Sequence, residues 1–295
     1  MNEESRISHF TNPLYLQSGR ILEPYDIAYN TYGSLNEKRD NCILVCHALT
    51  GSQHCSGSLN EKYGWWSNII GPNKAIDTNE YFVICTNVIG SAFGSTSPIS
   101  KIYPKDISYR FSFPVVTISD MIKAQRILLD SLDIKQLYAI IGGSMGGMQT
   151  LSFSILYPNI AKKFIALSTT HATSPYIIAF NKIMSEAIIS DTNFDNGNYD
   201  LEYKPILNGL KIARMIGYLH YITKETMQNK FGRNYVNSDG LYELFGRFEI
   251  ERYLDYNGEN FCNKFDPLCL LYLLKAISIY DLSYGFNSLE DALKN

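Results

Sequence analysis

The sequence lacks any run approaching about 18 apolar residues, the length a helix needs to cross a bilayer. Its opening residues, MNEESRISHF, hold no apolar stretch of the kind a secretory signal requires. Net charge is also small: 26 Lys and Arg against 29 Asp and Glu leave −3 over 295 residues. That balance supplies neither the basic footprint of a nucleic-acid binder nor attraction to an anionic membrane. The six cysteines, Cys42, Cys46, Cys55, Cys85, Cys262 and Cys269, form no C-x-x-C pair and no dense disulfide spacing, so they read as core fillers. No G-K-[ST] phosphate loop, internal repeat or low-complexity tract is present. A cytoplasmic protein with a small-molecule partner is expected.

What is there describes a globular chain, 45% hydrophobic and 19% charged, long enough for one large α/β domain with an insertion or for two smaller domains. LYLQSG and DIAYNTYG alternate and are separated by turn residues, which predicts an antiparallel strand pair at a sheet edge. NCILVCHAL, EYFVICTNVIG, LYAIIGG and KFIALSTT are short apolar runs rich in β-branched residues, the pattern of strands buried on both faces. TISDMIKAQRILLDSLDI reads as a helix with Thr117 and Asp120 as a capping box, and MGGMQTLSFSILY as a helix that stops before Pro158. Strands alternating with helices predict a mostly parallel sheet covered on both faces. From about residue 172 the period turns helical throughout. The expected organisation is an α/β core over 1–172, a helical lid over 173–287, and the start of a return to the core over 288–295.

Between one predicted strand and the next helix stands IIGGSMGGMQ, in which Gly142, Gly143, Ser144, Met145 and Gly146 realise G-x-S-x-G. In a nucleophile elbow the serine sits on a strained strand-to-helix turn, and its neighbours must be small. Gly142 and Gly146 answer that need. The following helix aims its free N–H groups at the site, placing the Met145 N–H to donate to an oxyanion. A dinucleotide-binding turn would want glycine where Ser144 stands. A second oxyanion donor is expected from the backbone at Leu49 or Thr50, in HALTGS after the strand CILVC. Cys46, His47, His54 and Cys55 fall close together but match no usual zinc spacing, and no metal site is expected. His47 lies upstream of the serine, where a structural hydrogen-bonding role is at least as natural as that of a base.

HALTGSQH, YGWWSNIIGPNKAIDTNEYFVICTNVIG, GSTSP, FPVVTISDMIKAQRILLDSLDI, GGSMGGMQ, FEIERYLDYNG and FDPLCLLYLLKA together resemble the homoserine O-acetyltransferases, over nearly the whole chain from about residue 12. The resemblance implies an α/β-hydrolase fold with an inserted helical lid. It implies an acetyl group taken from acetyl-CoA by Ser144 and passed to the hydroxyl of L-homoserine, as part of methionine biosynthesis. It also implies Met145 with the Leu49–Thr50 backbone as oxyanion hole, Arg214 as a substrate-binding residue, and a homodimer. Arg214 has a reading of its own: it follows Leu207 and Leu210 at helical spacing and precedes Tyr218, so it projects from an apolar stripe and calls for an anion. A structural carboxylate or snorkelling serves that need as well as a substrate carboxylate does.

Three departures accompany the resemblance. NVIGSAFGSTSP places Ser91, Ala92 and Phe93 where the family writes a G-G-C-x-G run, and GSQH stands where G-D-x-H is common. The family's triad Asp and His lie beyond the lid, on loops after the last two core strands, whereas the 295 residues end at SLEDALKN. His9, His47, His54, His171 and His220 are the five histidines, and none combines a loop position after the sheet with a downstream acid. The last core strands and the triad Asp and His are therefore expected to be absent. The expectation is low activity of this chain alone, or complementation by a second polypeptide. The competing readings are an esterase or thioesterase, and a remnant that binds ligand or a partner chain without chemistry.

Overall fold

The structure, a computed structural model, describes residues 3–59, 62–202, 207–237 and 240–294. The chain divides into two compact units, Met1–Thr173 with Tyr272–Asn295, and Ser174–Leu271.

The first unit is built on six strands: β1 Glu3–Phe10, β2 Tyr25–Tyr32, β3 Cys42–Cys46, β4 Phe82–Thr86, β5 Ala139–Gly143 and β6 Phe164–Leu167. Their order across the sheet is β1, β2, β4, β3, β5, β6. β1 and β2 run antiparallel, as do β2 and β4; β4, β3, β5 and β6 are parallel. Every residue of β3 is buried, as its unbroken apolar run predicts. Helix α1, Ile118–Ser131, starts on the predicted capping box: Asp120 N–H donates to Thr117 Oγ1 at 3.1 Å and Thr117 N–H donates to Asp120 Oδ2 at 3.0 Å. Helix α2, Met145–Leu156, follows β5 after Ser144 alone.

Two expectations are corrected here. DIAYNTYG does not pair with LYLQSG. Leu14–Tyr15 instead pairs with Ile21–Leu22 in a small ribbon, and β2 pairs with β1 on one side and β4 on the other. The physical reason is burial: β2 is buried along nearly its whole length, so both of its backbone edges need partners, and the polar first ten residues supply one of them. The lid was expected to run to 287, whereas Tyr272–Asn295 belongs to the first unit. Leu273, Leu274 and Ala276 are buried there, and the Tyr272 hydroxyl donates to the Phe113 carbonyl at 2.8 Å. Helical period reports an apolar face without reporting which core receives it.

The second unit contains helices α3 Pro175–Ile189, α4 Asn208–Tyr221, α5 Lys224–Phe231 and α6 Glu249–Cys262, and the start of α7, Pro267–Ser278. Its packing uses small residues at the crossings: a Cβ on Gly209 of α4 would stand 2.1 Å from the Ala187 carbonyl oxygen of α3. Among the described residues it holds no strand, only the isolated bridge between Tyr235 and Phe248. No described helix of either unit is long and apolar enough to cross a membrane.

Candidate active site

Ser144 occupies the turn between β5 and α2 with φ 55° and ψ −121°, a left-handed conformation that costs a non-glycine residue about 1–3 kcal/mol. Such strain persists only when the surroundings over-determine it, and here they do. Ser144 N–H donates to the Leu167 carbonyl at 3.0 Å, and its own carbonyl accepts from Met148 N–H at 3.0 Å and from the Thr169 hydroxyl at 2.9 Å. The strained turn also swings the side chain away from the capping position: Ser144 precedes a helix but makes no side-chain cap hydrogen bond. Ser144 is exposed and leaves the first N–H groups of α2 without a side-chain cap from it. The flanking glycines are sterically required, since a Cβ on Gly142 would lie 2.3 Å from the Gly146 carbonyl oxygen.

The turn carrying Leu49 and Thr50 adjoins the first turn of α2. A Cβ on Gly146 would meet the Cys46 carbonyl oxygen at 2.1 Å and the His47 carbonyl oxygen at 3.2 Å. The turn is closed by Gly51 N–H donating to the Ala48 carbonyl at 2.9 Å, with Leu49 at its second position. Ser144, Met145 and Leu49–Thr50 are thereby gathered in the first unit at the C-terminal ends of β3 and β5, where an open α/β sheet presents its ligands' crevice.

His47 is fully buried. Its Nε2 faces two donors, Val88 N–H at 3.1 Å and the Asn87 amide at 3.4 Å, and so accepts; its Nδ1 donates to the Ala48 carbonyl at 2.7 Å. Both ring nitrogens are engaged in holding the turn, which gives His47 a structural role and leaves none for a metal. Burial pushes its pKa down from the ordinary 6.5 to about 4, against a small opposing pull from the Ala48 carbonyl. The unfolded chain thus binds the extra proton first, and the stability owed to neutral His47 is complete above pH 6.5 and lost as pH falls toward 4, to the extent of about 3 kcal/mol. Denaturant titrations at pH 7 and pH 4.5 are expected to show that loss, and His47→Gln is expected to flatten it.

Arg214 stands in the second unit, half-buried on α4. Its guanidinium carbon lies 4.7 Å from the Tyr218 and Phe261 ring centroids and 5.8 Å from that of Tyr221. The Tyr218 hydroxyl donates to Asn257 Oδ1 at 2.8 Å, fixing the ring beneath the cation. The apolar stripe inferred from spacing is thus an aromatic clamp, with a geometry that favours a planar cation.

Three of the histidines have partners of their own, and a fourth follows β6. His9 pairs with Asp26 at 2.7 Å across β1 and β2, His171 follows β6 with its carbonyl accepting from Leu282 N–H at 2.8 Å, and His220 packs its ring on Phe180 at 5.4 Å. Among the described residues no hydrogen bond joins Ser144 Oγ to an imidazole. Ser91, in the departing run, is buried, and the Phe93 carbonyl accepts from the Gln53 amide at 3.0 Å.

Thr169, Gln125 and Gln149 escaped the sequence reading. Gln149 is an amide at a buried position of a helix whose other polar residues are small hydroxyls, which is a signal in itself. Thr169 has no comparable signal, because its bond to the Ser144 carbonyl exists only once β6 lies beside β5.

A family profile for the alpha/beta hydrolase fold matches residues 41–243. The chain is 58% identical over 298 residues to the homoserine O-acetyltransferase of Sulfurimonas autotrophica, spanning 100% of this chain and 81% of that protein. Among solved structures, homoserine O-acetyltransferase from Bacillus anthracis superposes with a TM-score of 0.91 at 28% identity, covering 100% of this chain and 81% of that one. Esterase E22 superposes with a TM-score of 0.86 at 29% identity, covering 97% and 80%. With the strained serine at the head of α2, the facing Leu49 turn and a likeness that runs the full length of the chain, the protein belongs to the homoserine O-acetyltransferase family of α/β-hydrolase-fold enzymes.

Proposed function

We propose that Ser144 is the acyl-accepting nucleophile of this enzyme: it takes the acetyl group of acetyl-CoA, releasing CoA thiol, and yields it to the side-chain hydroxyl of L-homoserine. The observation that carries the reading is the elbow, with Ser144 at φ 55°, exposed and free of cap duty. When the hydroxyl oxygen adds to the thioester carbonyl, the developing oxyanion needs preorganised donors, and the Met145 and Leu49 N–H groups are the candidates. Arg214 serves as the anchor for the substrate carboxylate, a pairing its planar fork makes bidentate.

The experiment is a product partition. With acetyl-CoA and L-homoserine together, O-acetyl-L-homoserine is expected in excess over free acetate. A preference for water would favour the esterase reading, which the likeness to esterase E22 keeps in view. Arg214→Leu is expected to weaken L-homoserine by about 10–100-fold, the worth of a charge-assisted pair, with the acetyl-CoA half-reaction unaltered. Isothermal titration with L-homoserine checks the first part, and single-turnover CoA release the second. We also infer a homodimer, for which the exposed Tyr242, Leu244 and Phe245 offer apolar area to cover; sedimentation equilibrium tests it.

A further inference from the structure

We infer that Gln149 is the positioning residue of the oxyanion hole, tying the turn that carries the Leu49 N–H to the helix turn that carries the Met145 N–H. The side chain is 0% exposed, and that of Gln125 facing it is 1% exposed. A primary amide in such a place is costly unless each of its groups is bonded. Here each one is. Gln149 Nε2 donates to the His47 carbonyl at 3.1 Å and to the Met145 carbonyl at 3.2 Å, while Oε1 accepts from Gln125 Nε2 at 2.8 Å. The orientation of the amide is not arbitrary: two carbonyls face one end and an N–H faces the other, so only one flip satisfies all three.

The three bonds join three elements. Gln125 is on α1, Gln149 on α2, and His47 directly follows β3. The His47 carbonyl lies one peptide before the turn closed by Gly51 and Ala48, and the Met145 carbonyl belongs to the residue that heads α2. One amide therefore sets the separation of the two segments whose N–H groups must converge on a single oxygen. The imidazole of His47 fixes the same turn to Val88 on its other side, so the turn is held toward the sheet by the ring and toward α2 by the amide. A methionine at 149 would fill the same space without directing either carbonyl. Misplacing a catalytic group by about 1 Å costs on the order of 100-fold in rate, so a bond that defines this separation acts on the chemistry without touching substrate.

The geometry stands by itself, and only its catalytic consequence rests on Ser144 being the nucleophile. Gln149→Met and the double variant Gln125→Met/Gln149→Met test it, the second because removing both amides together avoids leaving a lone buried one. Hydrogen–deuterium exchange of the 47–51 segment is expected to accelerate by about tenfold, the loss of one bond, while β2 exchanges as in the parent. The rate constant for acetylation of Ser144 at saturating acetyl-CoA, read by intact mass, is expected to fall by about 100-fold with the half-saturating acetyl-CoA concentration unchanged. Unaltered exchange at 47–51 in the folded double variant overturns the inference whatever the rates do. A parent protein that takes up no acetyl group defeats the nucleophile reading instead, and leaves the exchange result to decide the positioning claim.

Discussion

Ser144→Ala is expected to abolish the acetyl adduct that acetyl-CoA deposits on the protein, and to remove acyl transfer to L-homoserine with it. In a complete triad, losing the serine alone costs about as much as losing all three members, on the order of 10⁶, so for a serine without a base the presence or absence of the adduct, not a turnover ratio, is what the variant changes. The measurement is the intact mass of the 295-residue chain after incubation with acetyl-CoA. A gain of one acetyl group in the parent and none in Ser144→Ala is the expected pair of results; an equal gain in both would move the chemistry to another residue. The parent's adduct is expected to form slowly, because among the described residues no hydrogen bond joins Ser144 Oγ to an imidazole. A serine hydroxyl without a base is a weak nucleophile, and a positioned general base contributes about 10²–10⁴-fold. Free imidazole in the buffer is therefore expected to accelerate the adduct in the parent and to do nothing in Ser144→Ala. The recovery is partial, since an untethered base forgoes the advantage of being held in place.

Gly146→Ala is expected to be strongly damaging to the first unit. Its backbone is already helical, so conformational freedom is not the issue. The issue is space. A Cβ there would stand 2.1 Å from the Cys46 carbonyl oxygen and 2.8 Å from the Cys46 carbonyl carbon, and both are backbone atoms of β3, a strand hydrogen-bonded on both edges. Neither can swing aside as a side chain would. Relief requires α2 to move off the sheet by roughly an ångström, and overpacking on that scale costs about 3 kcal/mol. The same movement separates the His47 turn from the head of α2, so surviving folded protein is expected to lose acetylation too. Gly143→Ala is the control, because its Cβ would meet only the Leu167 carbonyl oxygen at 3.8 Å, an ordinary contact. Urea midpoints of the two variants are expected to differ clearly, with Gly143→Ala near the parent. Equal midpoints would mean that α2 tolerates displacement from β3, and with it that the elbow is not under the constraint described here.

The contrast between these glycines marks how far the chain could be read without its fold. G-x-S-x-G names Gly142 and Gly146 as the small neighbours of the serine, and both close approaches exist. The motif is silent on what Gly146 approaches, which is β3, about a hundred residues earlier. The capping box of α1 was legible because it lies within four residues. Yet the same Asp120 carboxylate also accepts from Gln17 N–H at 2.8 Å, a bond between residues 103 apart that no local pattern encodes. Arg214 was legible as a cation on an apolar stripe, and the Phe261 half of its aromatic clamp was not, because α6 brings it.

The sequence by itself determined most strands and helices of the α/β core after β1, the strained serine at the head of α2, and the family. Each of these is carried by residues within a few positions of one another, or by a likeness running the length of the chain. Only the tertiary structure decided that β2 takes β1 as its edge partner, that residues 272–295 fold with the core, and that His47 is a buried neutral strut. It also decided that Gln125 and Gln149 bond across two helices. The physical reason is common to all four: a buried backbone edge, apolar helix face, imidazole or amide must find a partner, and which group meets it depends on chain segments far apart in sequence.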